Sequence, residues 1–200
     1  MTHPAQPSAL ACGASFQLAE QPVGNPQHGK LETCPTPLAG QAIGTPCADG
    51  PAICVSAAVL DQVLRYSETD MKREQGGFLL GGVIQDRRTC VEVRAFLPAL
   101  AAASDAASLT FTHETWADMT RRAETEHPNE LVVGWQHTHP GLGIFLSAYD
   151  LFIHRNFFGQ PWQIALVVDP CQRQFAFFQW RNGEVVDCGF YYVASADQTT

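Results

Sequence analysis

The stretch GWQHTHPGLGIFLSAYD, which spans Gly134 to Asp150, is the most informative part of this sequence. It continues an apolar run that begins at Leu131, so a buried strand over 131–138 leads into it. Side chains two positions apart on a strand point the same way, so His137 and His139 are predicted to share one face. The proline that follows ends strand pairing and turns the chain. The stretch therefore predicts two adjacent imidazoles where a strand meets a loop.

Asp150 lies eleven residues after His139, in the first turn of a helix predicted over 147–158. A loop of this length can fold the carboxylate back onto the two histidines. Two imidazoles and one carboxylate form a three-ligand set, which leaves one coordination position open for water, as in catalytic zinc sites. We therefore predict a Zn²⁺ site made of His137, His139 and Asp150.

Ser147 lies three residues before Asp150, so the two side chains face the same way at the start of the helix. The pattern Ser-x-x-Asp also resembles a capping pair, in which each side chain binds the other residue's backbone amide. The two roles are compatible, because a hydroxyl beside a metal site can also stabilise a developing oxyanion.

Glu74 is a candidate for the proton acceptor that zinc-dependent hydrolysis requires. It directly precedes a buried strand predicted over 77–84, so its carboxylate can reach a metal held by a neighbouring strand. Taken alone, this position is also typical of a surface glutamate.

Together these elements resemble the JAMM motif of the JAB/MPN metalloproteases. In chain order they are Glu74-x-x-Gly77-x-Leu79-x-Gly81, His137-x-His139-Pro140 and Ser147-x-x-Asp150. The resemblance covers residues 53–193, and the complete set is typical of active members rather than of metal-free scaffold relatives. It implies zinc ligands at His137, His139 and Asp150, a general acid/base at Glu74 and oxyanion support from Ser147.

The resemblance also implies a reaction: hydrolysis of a peptide or isopeptide bond after the C-terminal tail of ubiquitin or a ubiquitin-like protein. The segment 137–180 looks most similar to bacterial stand-alone members encoded beside ubiquitin-like, E1-like and E2-like proteins, some of which act against phage. Processing or deconjugation of such a protein is therefore expected. Two alternatives are a JAB peptidase that trims sulfur-carrier proteins and a metal-stabilised binding module without catalysis.

Hydrophobic periodicity predicts an α+β domain, a sheet flanked by helices. Helices are predicted over 57–68, 114–126 and 147–158, the first of them capped by Ser56. Strands are predicted over 77–84, 90–97, 109–112, 131–138, 163–168, 174–180 and 186–193, with a loop over 98–109. The family resemblance implies, more specifically, the curved mixed sheet of the JAB/MPN fold, which is cytidine-deaminase-like.

Residues 1–51 differ in composition from the rest of the chain. They contain eight of the 13 prolines and six of the 16 glycines, without sustained hydrophobic periodicity. Such a segment folds weakly, so a flexible tail over 1–51 and a metalloprotease domain over 52–200 are predicted. The alternative for residues 1–51 is a segment that docks on a partner or on the domain itself.

Charge and hydropathy exclude several classes of protein. The chain of 200 residues carries a net charge of −8 and has no basic stripe, so nucleic acid is not expected as a partner. No apolar run approaches the about 20 residues that a membrane helix needs, and the N-terminus has no signal-peptide pattern. Seven cysteines in an irregular, odd set indicate reduced thiols. These features predict a cytoplasmic protein that is not bound to a membrane.

Overall fold

The computed structural model describes residues 40–85, 87–100, 103–105, 108–110 and 112–193. The first 39 residues of the predicted tail lie outside this description. The described residues form three helices, α1 (Ala57–Ser67), α2 (His113–Glu126) and α3 (Ala148–Phe157). Their strands are β1 (Gly40–Ile43), β2 (Ala52–Ser56), β3 (Gly76–Gln85), β4 (Thr89–Pro98), β5 (Ala103–Asp105), β6 (Ser108–Thr110), β7 (Leu131–Thr138), β8 (Ile164–Asp169), β9 (Gln174–Arg181), β10 (Glu184–Cys188) and β11 (Phe190–Val193).

Nine of the strands form one mixed sheet in the order β1-β11-β2-β4-β3-β7-β8-β9-β10. The pairs β11–β2, β2–β4 and β7–β8 are parallel, and the other neighbours are antiparallel. Strands β5 and β6 form a separate antiparallel pair. Strand β5 lies in the predicted loop 98–109, and β6 overlaps the start of the strand predicted over 109–112. The α+β prediction with a mixed sheet is confirmed.

The sheet curls because two consecutive strands belong to distant parts of it. Strands β10 and β11 are joined by Gly189 alone, yet they lie near opposite ends of the strand order. Gly189 allows a close approach, since a Cβ there would lie 2.5 Å from the Ile43 carbonyl oxygen. Its amide also donates to the Thr45 carbonyl over 2.9 Å. The single strand predicted over 186–193 is therefore wrong, because this contact divides it in two.

Helices cover both faces of the sheet. Leu79 of β3 packs into a core with α1, whereas its neighbours Phe78 and Leu80 pack into a second core with α2 and α3. This alternation is what a strand buried on both sides requires. Ser56 caps α1 as predicted, its side chain accepting a hydrogen bond from the Val59 amide over 3.3 Å.

Strand β1 was not predicted, and it lies inside the segment 1–51. It pairs antiparallel with β11, about 150 residues later in the chain, from Gly40 opposite Val193 to Ile43 opposite Phe190. The sheet thus includes residues of the segment predicted as a tail. No helix in the described part of the chain is long and apolar enough to cross a membrane.

Gly134 is a position where any side chain should destabilise the fold. It pairs with Ile164 of β8, and a Cβ on it would lie 2.1 Å from the Ile164 carbonyl oxygen. We expect Gly134→Ala to lower the free energy of unfolding by about 1–3 kcal/mol, the range typical of overpacking. Urea unfolding measures this change. Gly82→Ala is the matched control, because the atoms nearest to its Cβ belong to the guanidinium of Arg94, the end of a flexible side chain that can move aside. Equal losses in both variants would contradict the prediction.

Candidate metal centre

Three parts of the fold converge at the end of β7. His137 and His139 come from β7 and the residue after it, Asp150 from the first turn of α3, and Glu74 from the segment before β3. All four side chains are buried, with at most 5% of each residue exposed. The structure therefore brings the predicted residues together in one place.

The two histidines are held by strand pairing. His137 lies opposite Val167 of β8, and the His139 amide extends the ladder by donating to the Val168 carbonyl over 2.8 Å. Both imidazoles point the same way, with 3.1 Å between the two Nε2 atoms. The shared face predicted from their spacing is confirmed.

Asp150 is fixed by a capping box at the start of α3. The Ser147 amide donates to Asp150 Oδ2 over 2.7 Å, and the Asp150 amide donates to Ser147 Oγ over 3.1 Å. The predicted capping pair is therefore present. It aims the carboxylate at the histidines, with Oδ1 3.5 Å from His137 Nε2 and Oδ2 3.4 Å from His139 Nε2.

These distances fit a tetrahedral metal ion. Bonds of about 2.0–2.1 Å to nitrogen and oxygen place tetrahedral ligand atoms about 3.3–3.4 Å apart. The two Nε2 atoms lie 3.1 Å apart, and each lies 3.4 or 3.5 Å from a different oxygen of the Asp150 carboxylate. The donor types, two imidazole nitrogens and one carboxylate, are those of catalytic zinc sites with an open position. His137, His139 and Asp150 therefore have the chemistry and the spacing to hold Zn²⁺.

The electrostatics of the cluster favour an ionised carboxylate. Burial opposes the charge on Asp150, but hydrogen bonds with His137 and His139 outweigh it and hold the pKa of Asp150 well below its usual range. Burial likewise opposes protonation of His139, but Asp150 and Glu74 raise its pKa above the ordinary value. The site therefore attracts positive charge.

Glu74 is positioned by its neighbour in sequence. The Gln75 amide donates to Thr138 Oγ1 over 2.8 Å, and the Thr138 amide donates to the Gln75 carbonyl over 2.8 Å. These two bonds tie the segment before β3 to the end of β7. Glu74 Oε1 consequently lies 3.9 Å from His139 Nε2, beside the three ligand candidates.

A cleft of about 90 Å³ opens beside the cluster. Its polar lining comes from four of the predicted site residues: Glu74, His139, Ser147 and Asp150. Its apolar walls are Leu142, Phe145 and Tyr149, each with more than 40% of its surface exposed. The cleft can therefore admit a polar group to the cluster while apolar side chains contact the rest of a substrate.

Trp135 and His154 lie behind the cluster, and neither was predicted to contact it. The Trp135 ring stacks on the His137 imidazole, with centroids 4.4 Å apart and planes 11° apart. Trp135 Nε1 donates to Nδ1 of His154, which is fully buried in α3. The spacing of Trp135 and His137 on β7 is the one signal in the sequence that they share a face.

His154 should make the folded state sensitive to acid. Burial and the nearby charge of His137 lower its pKa to about 4, whereas an unfolded histidine titrates near 6.5. Because the unfolded chain gains the proton first, the stability from neutral His154 is present above pH 6.5 and is lost as the pH falls towards 4. The loss should reach up to about 3 kcal/mol. Urea unfolding in EDTA at pH 7 and pH 4.5 should show a smaller difference for His154→Gln than for the wild type, and equal differences would contradict this.

Residues 49–159 match the family model described as JAB1/Mov34/MPN/PAD-1 ubiquitin protease. The chain is 32% identical over 122 residues to the 26S proteasome regulatory subunit rpn11 of Schizosaccharomyces pombe, covering 60% of this chain and 39% of that protein. It is 29% identical over 120 residues to COP9 signalosome complex subunit 5 of Caenorhabditis elegans, covering 59% and 32%. It is also 30% identical over 86 residues to the NAD(+) hydrolase TcpA of a Theionarchaea archaeon, covering 42% and 24%.

The chain thus spans less than half the length of these curated relatives. Among solved structures, it resembles the protein DSY2949 of Desulfitobacterium hafniense, with a TM-score of 0.54 and 16% identity. That match covers 72% of this chain and 92% of the other, and it shows a shared fold.

Proposed function

The chain belongs to the JAB1/Mov34/MPN/PAD-1 ubiquitin protease family, and from this membership we propose that it is a zinc-dependent peptidase or isopeptidase that cleaves after the C-terminal tail of a ubiquitin-like protein. The proposal rests mainly on the cluster itself: two imidazole nitrogens 3.1 Å apart, each within 3.5 Å of an Asp150 carboxylate oxygen, with the Glu74 carboxylate beside them. A merely structural metal site would use four protein ligands and would need no adjacent base.

In this proposal His137, His139 and Asp150 hold the zinc ion. When bound, the ion supplies a Lewis acid that acidifies water and polarises a carbonyl group. The depressed pKa of Asp150 keeps the third ligand ionised, although burial opposes its charge and hydrogen bonds to the histidines are needed to outweigh it. The backbone ladder at His139 and the capping box at Asp150 fix the ligands before the metal arrives.

Glu74 acts as the general acid/base. Its carboxylate accepts a proton from the attacking water and returns that proton to the departing amine, so that the amide C–N bond breaks with a neutral leaving group. Its position inside the cleft, 3.9 Å from His139, supports this role. Because Glu74 is buried, bulk water has little access to its carboxylate and rarely exchanges the proton that it holds.

Ser147 supports the oxyanion that develops on the scissile carbonyl. Its Oγ lies at the cleft and accepts one hydrogen bond, from the Asp150 amide. The hydroxyl also interacts with the Asp150 carboxylate, and in this proposal it donates its proton to the oxyanion once the substrate carbonyl is in place. The same side chain therefore serves as helix cap and as donor.

The substrate proposal rests on the relatives and on the motif resemblance. The relatives named above include proteasome and COP9 signalosome subunits. We extend this to a ubiquitin-like protein or its conjugates as the partner of this chain. The resemblance of 137–180 to bacterial stand-alone members extends the proposal to E1-like and E2-like partners in an antiphage conjugation system, and to a cytoplasmic location.

Mass spectrometry of a panel of tail-extended proteins tests this proposal. Ubiquitin-like and sulfur-carrier proteins, each with a C-terminal extension, are incubated with the zinc-loaded chain and with the chain after EDTA treatment. Cleavage after a tail glycine by the zinc-loaded protein alone is expected. Cleavage restricted to sulfur carriers would shift the substrate class, and tight binding of a carrier without any cleavage would replace the enzyme by a binding module.

A further inference from the structure

The segment 140–146 leads away from His139 and carries the sequence PGLGIFL. Two of its glycines adopt left-handed backbone conformations, Gly141 with φ +74° and Gly143 with φ +89°. Inside the segment, one backbone hydrogen bond closes a turn, from the Leu142 amide to the His139 carbonyl over 3.2 Å. A segment with so few internal bonds needs partners elsewhere to hold one conformation.

Asp169, the last residue of β8, provides those partners. Its Oδ1 accepts from the Gly141 amide over 3.0 Å, and its Oδ2 accepts from the Gly143 amide over 2.8 Å. Oδ1 also accepts from the amides of Cys171 and Gln172, over 2.9 and 3.1 Å, which closes the turn after β8. One carboxylate therefore joins two loops through four backbone amides.

The backbone amides around Asp169 favour an ionised carboxylate, which is the stronger hydrogen-bond acceptor. The residue is fully buried, and burial opposes its ionisation, but the four amides outweigh burial and lower the pKa of Asp169 below its usual value. An ionised acceptor forms stronger hydrogen bonds than a neutral one. A buried charge would not persist there without these donors.

The segment held by Asp169 forms one wall of the cleft. Leu142 and Phe145 line the cleft, and the Phe145 ring lies 4.6 Å from the His139 ring. Ile144 and Leu146 instead pack against the second core. The core contacts and the Asp169 hydrogen bonds thus hold different residues of the segment, and together they position the wall of the cleft.

We propose that Asp169 is a positioning residue that holds the segment 140–146 as the substrate-contacting wall of the cleft. Its predicted effect on turnover rests on the proposed hydrolytic function, whereas its effect on the segment does not. Asp169 acts through Leu142 and Phe145, which meet the substrate beside the scissile bond.

The substitution Asp169→Asn should remove one of the four hydrogen bonds that this side chain accepts and keep the others. An amide has one acceptor oxygen, and its nitrogen cannot accept a hydrogen bond from an N–H group. Three donors converge on Oδ1 and one on Oδ2, so the amide oxygen is expected to take the Oδ1 position. The variant should then lose the bond to Gly143 and retain the turn after β8.

The test combines hydrogen exchange with steady-state kinetics on zinc-loaded protein. In Asp169→Asn, amide exchange in the peptide covering 140–146 should be faster, and KM for a cleaved ubiquitin-like substrate should rise about 10-fold, which corresponds to the loss of one hydrogen bond to a charged group. The value of kcat should change less than KM, because the His139 backbone remains anchored to β8 through the Val168 carbonyl. Asp61→Asn, the same chemical change at an exposed ion pair on α1, is the control and should alter neither quantity.

Unchanged exchange in Asp169→Asn would overturn the proposal, and so would faster exchange with an unchanged KM. If Asp169→Asn does not fold, Phe145→Ala removes the wall at an exposed side chain, and an unchanged KM in that variant would also overturn the proposal. A wild-type protein that cleaves no member of the panel would refute the proposed function instead, and the exchange of 140–146 would still decide whether Asp169 holds the segment.

Discussion

Glu74→Gln should bind zinc normally and lose about 100- to 10,000-fold in kcat, the contribution typical of a general acid/base. The amide has nearly the size of the carboxylate, so the cleft should keep its shape. The glutamine amide cannot accept a proton from water and return it to the leaving amine, so the chemical step should fail. Substrate binding should change little, and the loss should therefore appear in kcat more than in KM.

Zinc content and cleavage rate must be measured on the same preparation of Glu74→Gln. Glu126→Gln, an exposed glutamate paired with Arg122 on α2, is the matched control and should keep the wild-type rate. A Glu74→Gln protein with wild-type kcat would remove Glu74 from the mechanism. Loss of zinc in that variant would make Glu74 a ligand rather than the base.

His139→Ala should lose zinc and, with it, all cleavage. Removing an outer-shell partner of a ligand typically costs about 10- to 100-fold in metal affinity, and removing one of three direct ligands should cost more. The strand itself should survive, because the bond from residue 139 to the Val168 carbonyl is a backbone bond. Circular dichroism should therefore match the wild type.

Competition titration against a chelator measures the zinc affinity of His139→Ala. His113→Ala, an exposed histidine at the start of α2, is the control and should bind zinc as the wild type does. Zinc affinity equal to that of the wild type in His139→Ala would show that the ion binds elsewhere, for example at the cysteines.

The grouping of the candidate site residues could be predicted because it depends mostly on residues that are close together in the sequence. The spacing of His137 and His139 fixes a shared face on any strand, and the Ser147–Asp150 pair fixes a helix start. Glu74 was harder to place from its own position, because its approach depends on the Gln75–Thr138 bonds across 63 residues of sequence. The motif resemblance supplied what local periodicity could not.

The parts of the fold that were missed depend on distant partners. The sequence of β1, GQAI, has four residues and one large apolar side chain, too little for a strand pattern, and it forms a strand because it pairs with β11. The strands β10 and β11 are separated at Gly189, whose amide binds the Thr45 carbonyl. No pattern in the neighbouring sequence predicts this contact. The four amides that bind Asp169 come from two loops that are distant in sequence. The burial of this carboxylate therefore could not be predicted from the residues next to it.

X-ray absorption at the zinc edge of the wild-type protein measures how the bound ion is coordinated. We expect one zinc ion per chain, with nitrogen and oxygen ligands at about 2.0–2.2 Å and two imidazoles among them. A sulfur ligand at about 2.3 Å, or a chain that binds no zinc, would contradict the assignment of His137, His139 and Asp150 as the metal site.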